Sequence, residues 1–260
     1  MFKFRFFTAA LVGCMCLVGA ATAQAAETIS NFHVAFTPNK LGSPTNASGG
    51  ASIASTLPGE LPEPVTGFTV KGPAGLGINT VGTKTCNAAA LEANGPSACP
   101  KESKAGFGGG MGALKLGSQI IEEPFTLDFF LGNNTPGHIE ILLYVEATSP
   151  VSIQLVFTAD VVNEAPPYGL GFHFNIPLIP TLPGASDAAV LNTHVTIGAS
   201  NAAYFEKVHG KRKLVHIKGL IVPKTCPRAG FPFETEVNFA DGTTDTVKTT
   251  VPCPPKTHKK

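Results

Sequence analysis

FPFETEVNFADGTTDTVKTTV, residues 231–251, reads as two strands and a turn. Phe231, Phe233, Thr235, Val237 and Phe239 alternate with Pro232, Glu234, Glu236 and Asn238. Asp241-Gly242 turns the chain, and residues 243–251 return beside the first strand. Period-two alternation interrupted by Asp-Gly is a hairpin signal. Cys226 precedes the hairpin and Cys253 follows it, so a disulfide between them would staple its open end. A closed loop of that size is worth roughly 3–4 kcal/mol in the chain-entropy account.

The same period runs through the rest of the chain. Phe32, Val34 and Phe36 alternate with Asn31, His33 and Ala35; residues 65–70 form a second run. Phe125, Leu127 and Phe129 alternate with Thr126, Asp128 and Phe130. Ile139, Ile141, Leu143 and Val145 alternate with Glu140, Leu142, Tyr144 and Glu146, and Ile153, Leu155, Phe157 and Ala159 continue the pattern. Further strands fit 168–176, 189–199, 212–221, 232–240 and 243–251. Turn signals separate them at Pro58-Gly59, Asn133-Asn134-Thr135-Pro136-Gly137, Pro166-Pro167 and Pro183-Gly184. Short alternating runs between turns predict an all-β fold, an antiparallel β-sandwich with a jelly-roll-like arrangement as one form. One helix is expected: Asn87 caps residues 88–93, and Asn94-Gly95-Pro96 stops them.

Composition fits an exported β-protein. Lys3 and Arg5 precede an apolar run from Phe6 to about Ala21, and small residues follow at Ala23 and Ala25. This predicts a secretory signal peptide over 1–25. Leu11-Val12-Gly13-Cys14 also matches a lipobox, which gives the alternative of a lipoprotein anchored through Cys14. Subtracting Lys3 and Arg5 from the 19 basic residues leaves 17 against 18 acidic ones. A near-neutral chain gives no electrostatic case for nucleic acid or an anionic membrane as partner. Residues 255–260 form a basic tail, and the body between is read as one domain over 26–254. Two packed β lobes meeting near 150 are the alternative. Four cysteines remain after the leader: Cys86, Cys99, Cys226 and Cys253. An even number in an exported chain reads as two disulfides. Each of the pairs Cys86–Cys99 and Cys226–Cys253 brackets a local loop, which selects that pairing.

Several stretches mimic catalytic or binding motifs. GPAGLGINTVGTKTC, residues 72–86, spaces Gly77 and Gly82 like a phosphate loop, but Thr83 stands before Lys84. Lys84-Thr85-Cys86 recurs as Lys224-Thr225-Cys226 with no glycine loop, so the shared feature is the approach to a disulfide. Gly108 to Ala113 contains G-x-G-x-x-A without a βαβ pattern, and reads as bulging or close sheet contact. Asp187, His194 and Ser200 could form a triad, but no G-x-S-x-G elbow is present. His173, His194 and His216 fall in expected strands without ligand spacing. Glu234 and Glu236 share one strand face and read as solvated; Asp241 and Asp245 flank a turn that could hold calcium loosely. The chain has no tryptophan and three tyrosines, which weighs against sugar binding.

The segments 36–45, 73–77 and 223–227, with Cys99-Pro100 ahead of Gly106-Phe107-Gly108 and Val251-Pro252-Cys253-Pro254 near the end, resemble a group of exported, uncharacterised, β-rich proteins of actinobacteria. The resemblance spans most of the mature chain. It implies that both cysteine pairs belong to one continuous unit, and it transfers no catalytic residue. The expectation is a non-catalytic secreted or envelope-associated protein with a structural, adhesive or binding role. No cofactor or metal is expected, no partner is identified, and no transmembrane segment remains after signal cleavage. An extracellular hydrolase and a carrier of a small apolar ligand are the alternatives.

Peptide mapping of the exported protein without reduction should recover Cys86 joined to Cys99 and Cys226 joined to Cys253. Crossed pairs or free thiols would overturn the hairpin staple.

Overall fold

A computed structural model describes residues 27–255, apart from 136, 150–151, 180 and 199–202. The expected leader with Cys14, Pro150, Ser200 and residues 256–260 of the tail lie outside the described residues. In chain order the strands are β1 (Glu27–Thr37), β2 (Pro44–Ser55), β3 (Val65–Pro73) and β4 (Gly77–Asn79). The helix α1 (Ala88–Asn94) follows, then β5 (Lys104–Leu116), β6 (Gln119–Leu131), β7 (Ile139–Ala147), β8 (Ile153–Asn163) and β9 (Tyr168–Asn175). The last strands are β10 (Ala189–Ile197), β11 (Ala203–Val208), β12 (Lys211–His216), β13 (Gly219–Ile221), β14 (Phe231–Phe239) and β15 (Thr244–Val251).

The antiparallel all-β expectation holds. The strands form one continuous ladder rather than two separate sheets: β1-β2-β10-β5-β6-β7-β8-β9-β3-β14-β15, with β13 and β4 added at the start of β2. Ten antiparallel ladders lie between β1 and β15, so these two strands must point the same way. They also lie side by side. The sheet therefore curls into a ring of eleven strands and closes on a parallel neighbour pair. No backbone ladder joins that pair among the described residues. Side chains make the join: Asp245 Oδ2 accepts from the Ile29 N–H at 2.8 Å, and Asn39 Nδ2 donates to the Pro252 carbonyl at 2.8 Å.

Two bulges set the phase of the inner face. Asn31 takes φ 55° where β1 slips against β2, so Ile29 and Phe32 both face inward despite an odd spacing. A slip between Val190 and Asn192 does the same for Val190 and Thr193 of β10. Inside the ring, Leu127, Phe129, Leu143, Phe157 and Phe174 form the largest core cluster. Phe68 stacks on Phe174 at 4.3 Å, and Phe129 meets Phe174 edge-on at 6.5 Å.

Both ends are covered. At one end the chain leaves β9 toward β10 on the far side of the ring, and Ile176 and Ile179 pack against the main core. At the other, Leu76 and Val222 close over Phe36, Phe231, Phe233 and Val251. The Cys226–Cys253 disulfide holds this closure, with Cα atoms 5.8 Å apart. The Cys86–Cys99 disulfide encloses α1, whose Leu91 is fully buried against the outward side of Phe130, Leu142 and Tyr144. The cap is as expected: Asn87 Oδ1 accepts from the Ala90 N–H at 3.0 Å.

Asp245→Ala removes the acceptor for the Ile29 N–H, a cost of about 1–3 kcal/mol. Urea unfolding should show that loss, and hydrogen exchange at the Ile29 amide should accelerate. Unchanged exchange would mean that the seam is held elsewhere.

Candidate functional site

The inward positions of neighbouring strands differ sharply in size. β2 presents Ala47, Gly49 and Ala51. β5 presents Gly108, Gly110 and Gly112, in register with Val195, Thr193 and Val190 of β10. Gly49, Gly108 and Gly110 answer to backbone crowding. A Cβ at Gly110 would run into the Asn192 carbonyl and stand 2.6 Å from Phe125 Cζ; one at Gly49 would stand 2.6 Å from the His33 carbonyl. The far wall carries Phe68, Val70, Phe157, Phe172 and Phe174. Phe125 folds over Gly110 and Gly112 and takes part of the space. The rest is a cavity of about 330 Å³ inside the ring.

The cavity wall is apolar almost throughout. Phe32, Phe68, Phe125 and Phe172 face inward yet stay only half-buried, because they border open space. The polar side chains on the wall are Thr181, Thr193, Thr235 and Glu123, while His33 and Ser48 border it through their backbone; no lysine or arginine lines it among the described residues. Glu123 is its single carboxylate and is 7% exposed. It sits opposite Gly112. Sequence reasoning passed over Glu123. Its inward position in an apolar run was the available signal, and it becomes visible only once the face is assigned.

The residues singled out from sequence do not converge. His194 stands on the outer face of β10, opposite Gly109 and Gly50. No hydrogen bond or ion pair joins it to Asp187 among the described residues, and Ser200 lies outside them. His173 is on β9, bonded to Glu164 at 2.7 Å, while His216 is at the end of β12. In 72–86, Gly75 and Gly82 turn with φ 81° each, and Lys84 pairs with Glu102 at 3.5 Å. Helix α1 starts at Ala88, beyond that lysine. Asp241 caps its own turn by accepting from the Thr243 hydroxyl at 2.6 Å, and Asp245 serves the seam.

Glu234 departs from the solvated reading. It is 8% exposed on the outer face, under side chains from three neighbouring strands. Lys71 reaches Oε1 at 2.8 Å, Lys248 reaches Oε2 at 3.0 Å, and the Tyr168 hydroxyl donates to Oε2 at 3.0 Å. The hydrogen bond from Lys71 is the main reason its carboxyl is lowered to about 2, against a desolvation that opposes it. Burial and the Glu234 contact raise the Tyr168 phenol. The cluster ties β15, β14, β3 and the start of β9 across the outside of the ring.

No family model, curated protein or solved structure matches the chain. The cavity geometry is therefore the main guide to function.

A carboxyl lowered from 4.5 to about 2 adds stability that is complete above pH 4.5 and is lost as pH falls to about 2. Glu234→Gln should cost on the order of 2–3 kcal/mol at neutral pH. Urea titrations across the acid range should show this gap closing toward pH 2. A gap independent of pH would assign the loss to packing.

Proposed function

We propose that the protein is a non-catalytic binding protein of the cell exterior or envelope that holds a small apolar ligand inside the ring. The supporting observation is the cavity of about 330 Å³ with its apolar wall, within the range of ligand sites. A barrel with a purely structural role fills its interior with side chains; here small inward residues on β2 and β5 keep space open. The two disulfides suit an oxidising compartment, and no helix among the described residues is long and apolar enough to cross a membrane. Many outward strand positions are polar, among them Lys71, Thr126, Asp128, His194, Glu234 and Lys248, and the apolar outward patch of Phe130, Leu142 and Tyr144 is covered by α1.

The wall also selects ligand chemistry. A fatty-acid carboxylate would find no lysine or arginine there and would meet Glu123. A neutral lipophile, or one with a hydroxyl or amine head that donates to Glu123, fits the same wall. Each buried methylene contributes about 0.8 kcal/mol, close to a fourfold gain in affinity.

Displacement of N-phenyl-1-naphthylamine by a series of n-alkanols should show affinity rising about fourfold per methylene until the cavity is full, then levelling. Fatty acids of equal length should compete poorly. Ala51→Phe, which projects a ring into the cavity, should weaken probe binding and leave the melting temperature near that of the parent. Probe binding unaffected by Ala51→Phe would sink the carrier reading.

A further inference from the structure

The near-neutral total hides one concentrated patch. Residues 203–218 hold five basic residues, Lys207, Lys211, Arg212, Lys213 and Lys218, against the single acid Glu206. The rest of the chain then carries fourteen basic residues and seventeen acidic ones. These sixteen residues contain the β11–β12 hairpin, which forms a two-stranded sheet of its own outside the ring. Its turn uses His209 at φ 49° and Gly210 at φ 79°, which places Lys211, Arg212 and Lys213 next to the tip.

The two faces of the hairpin differ. Tyr204, Val208 and Val215 are half-buried, and the Tyr204 ring packs directly over Gly82, leaving no room for a Cβ there. An isolated two-stranded hairpin is only marginally stable in water, so this contact helps to hold it. The opposite face is unpartnered. Phe205 and Leu214 are cross-strand partners there, 60% and 50% exposed, and Arg212 lies 4.4 Å above the Phe205 ring. Lys207, paired with Arg212 across the ladder, borders them.

We infer that this hairpin docks the protein on an anionic lipid surface. Exposed phenylalanine and leucine side chains suit the acyl–headgroup boundary, and Lys207 and Arg212 on the same face, with Lys211 and Lys213 near the tip on the other, suit lipid phosphates. The net negative charge of the remaining chain turns the hairpin toward such a surface. Nucleic acid fits less well: the Phe205 face that would stack a base is covered by Arg212, and Leu214 offers no stacking surface. The inference stands apart from the cavity reading, because it uses none of the cavity residues.

The test is flotation of the full chain with vesicles of phosphatidylglycerol mixed into phosphatidylcholine, and with phosphatidylcholine alone. Binding is expected to the mixed vesicles at low salt, and screening by molar salt should remove it. Reversing Lys211, Arg212 and Lys213 to glutamate should weaken binding by at least roughly a hundredfold. Phe205→Ser with Leu214→Ser should weaken it as well. The melting temperature should be unchanged in both variants, which reports that the ring is intact. Equal flotation of the charge-reversed variant, or no flotation of the parent at low salt, overturns the inference. So does binding to RNA that survives the double serine change while vesicle binding is absent.

Discussion

Between β2, β10 and β5 the backbones come closer than side chains permit. Carbonyls of Thr193, His194 and Asn192 occupy the space where a Cβ on Gly50, Gly108 or Gly110 would sit. Glycine is therefore required along this part of the ring, and it has two effects at once. It lets the sheet curl tightly enough to close, and at Gly108 and Gly110 it removes the inward side chains that would otherwise fill the interior. The cavity is a by-product of closure, placed beside the strands whose inward residues are glycine and alanine. The aromatic residues of β3, β8 and β9 then supply the opposite wall.

Closure raises a second constraint, from parity. An odd number of alternating strands brings two parallel strands together at the seam, and no short hairpin can join them. The chain meets this with side-chain bonds rather than a ladder. Asp245 and Asn39 reach across, and the nearby Cys226–Cys253 disulfide and the Phe36–Phe231–Phe233 cluster hold the end of β15 against the end of β1. The buried ion cluster at Glu234 does comparable work on the outside of the adjoining strands.

Much of this fold was legible in the sequence, for a definite reason. Strands β1, β3, β6 to β10, β14 and β15 alternate large apolar with polar residues, and that contrast is a local signal. So were the Asn87 cap, the Asp241-Gly242 turn and the bracketing cysteines. Strands β2 and β5 escaped because their inward residues are glycine and alanine, which leave no apolar contrast to read. The expected strand 212–221 is divided by Ile217-Lys218 into β12 and β13. Strands β4 and β11 were not expected either, but β2 and β5 are the missed strands that create the cavity, so the candidate site was least visible where it matters most. Gly108 to Ala113 was read as close sheet contact, and that contact is present, but its consequence depends on the curvature of distant strands. Charge totals failed similarly, since a sum over the chain cannot show that five cations share one hairpin.

The parallel seam also fixes where the chain can be tethered. β1 and β15 run the same way, so Glu27 begins at one end of the ring and Val251 finishes at the other. An eight-residue strand such as β15 spans about 27 Å, a separation that no tight turn could bridge. Circular permutation would need a linker as long as the ring is tall. A load applied between the two ends of the chain would slide β1 and β15 past each other lengthwise, so the seam would resist in shear instead of peeling open one bond at a time.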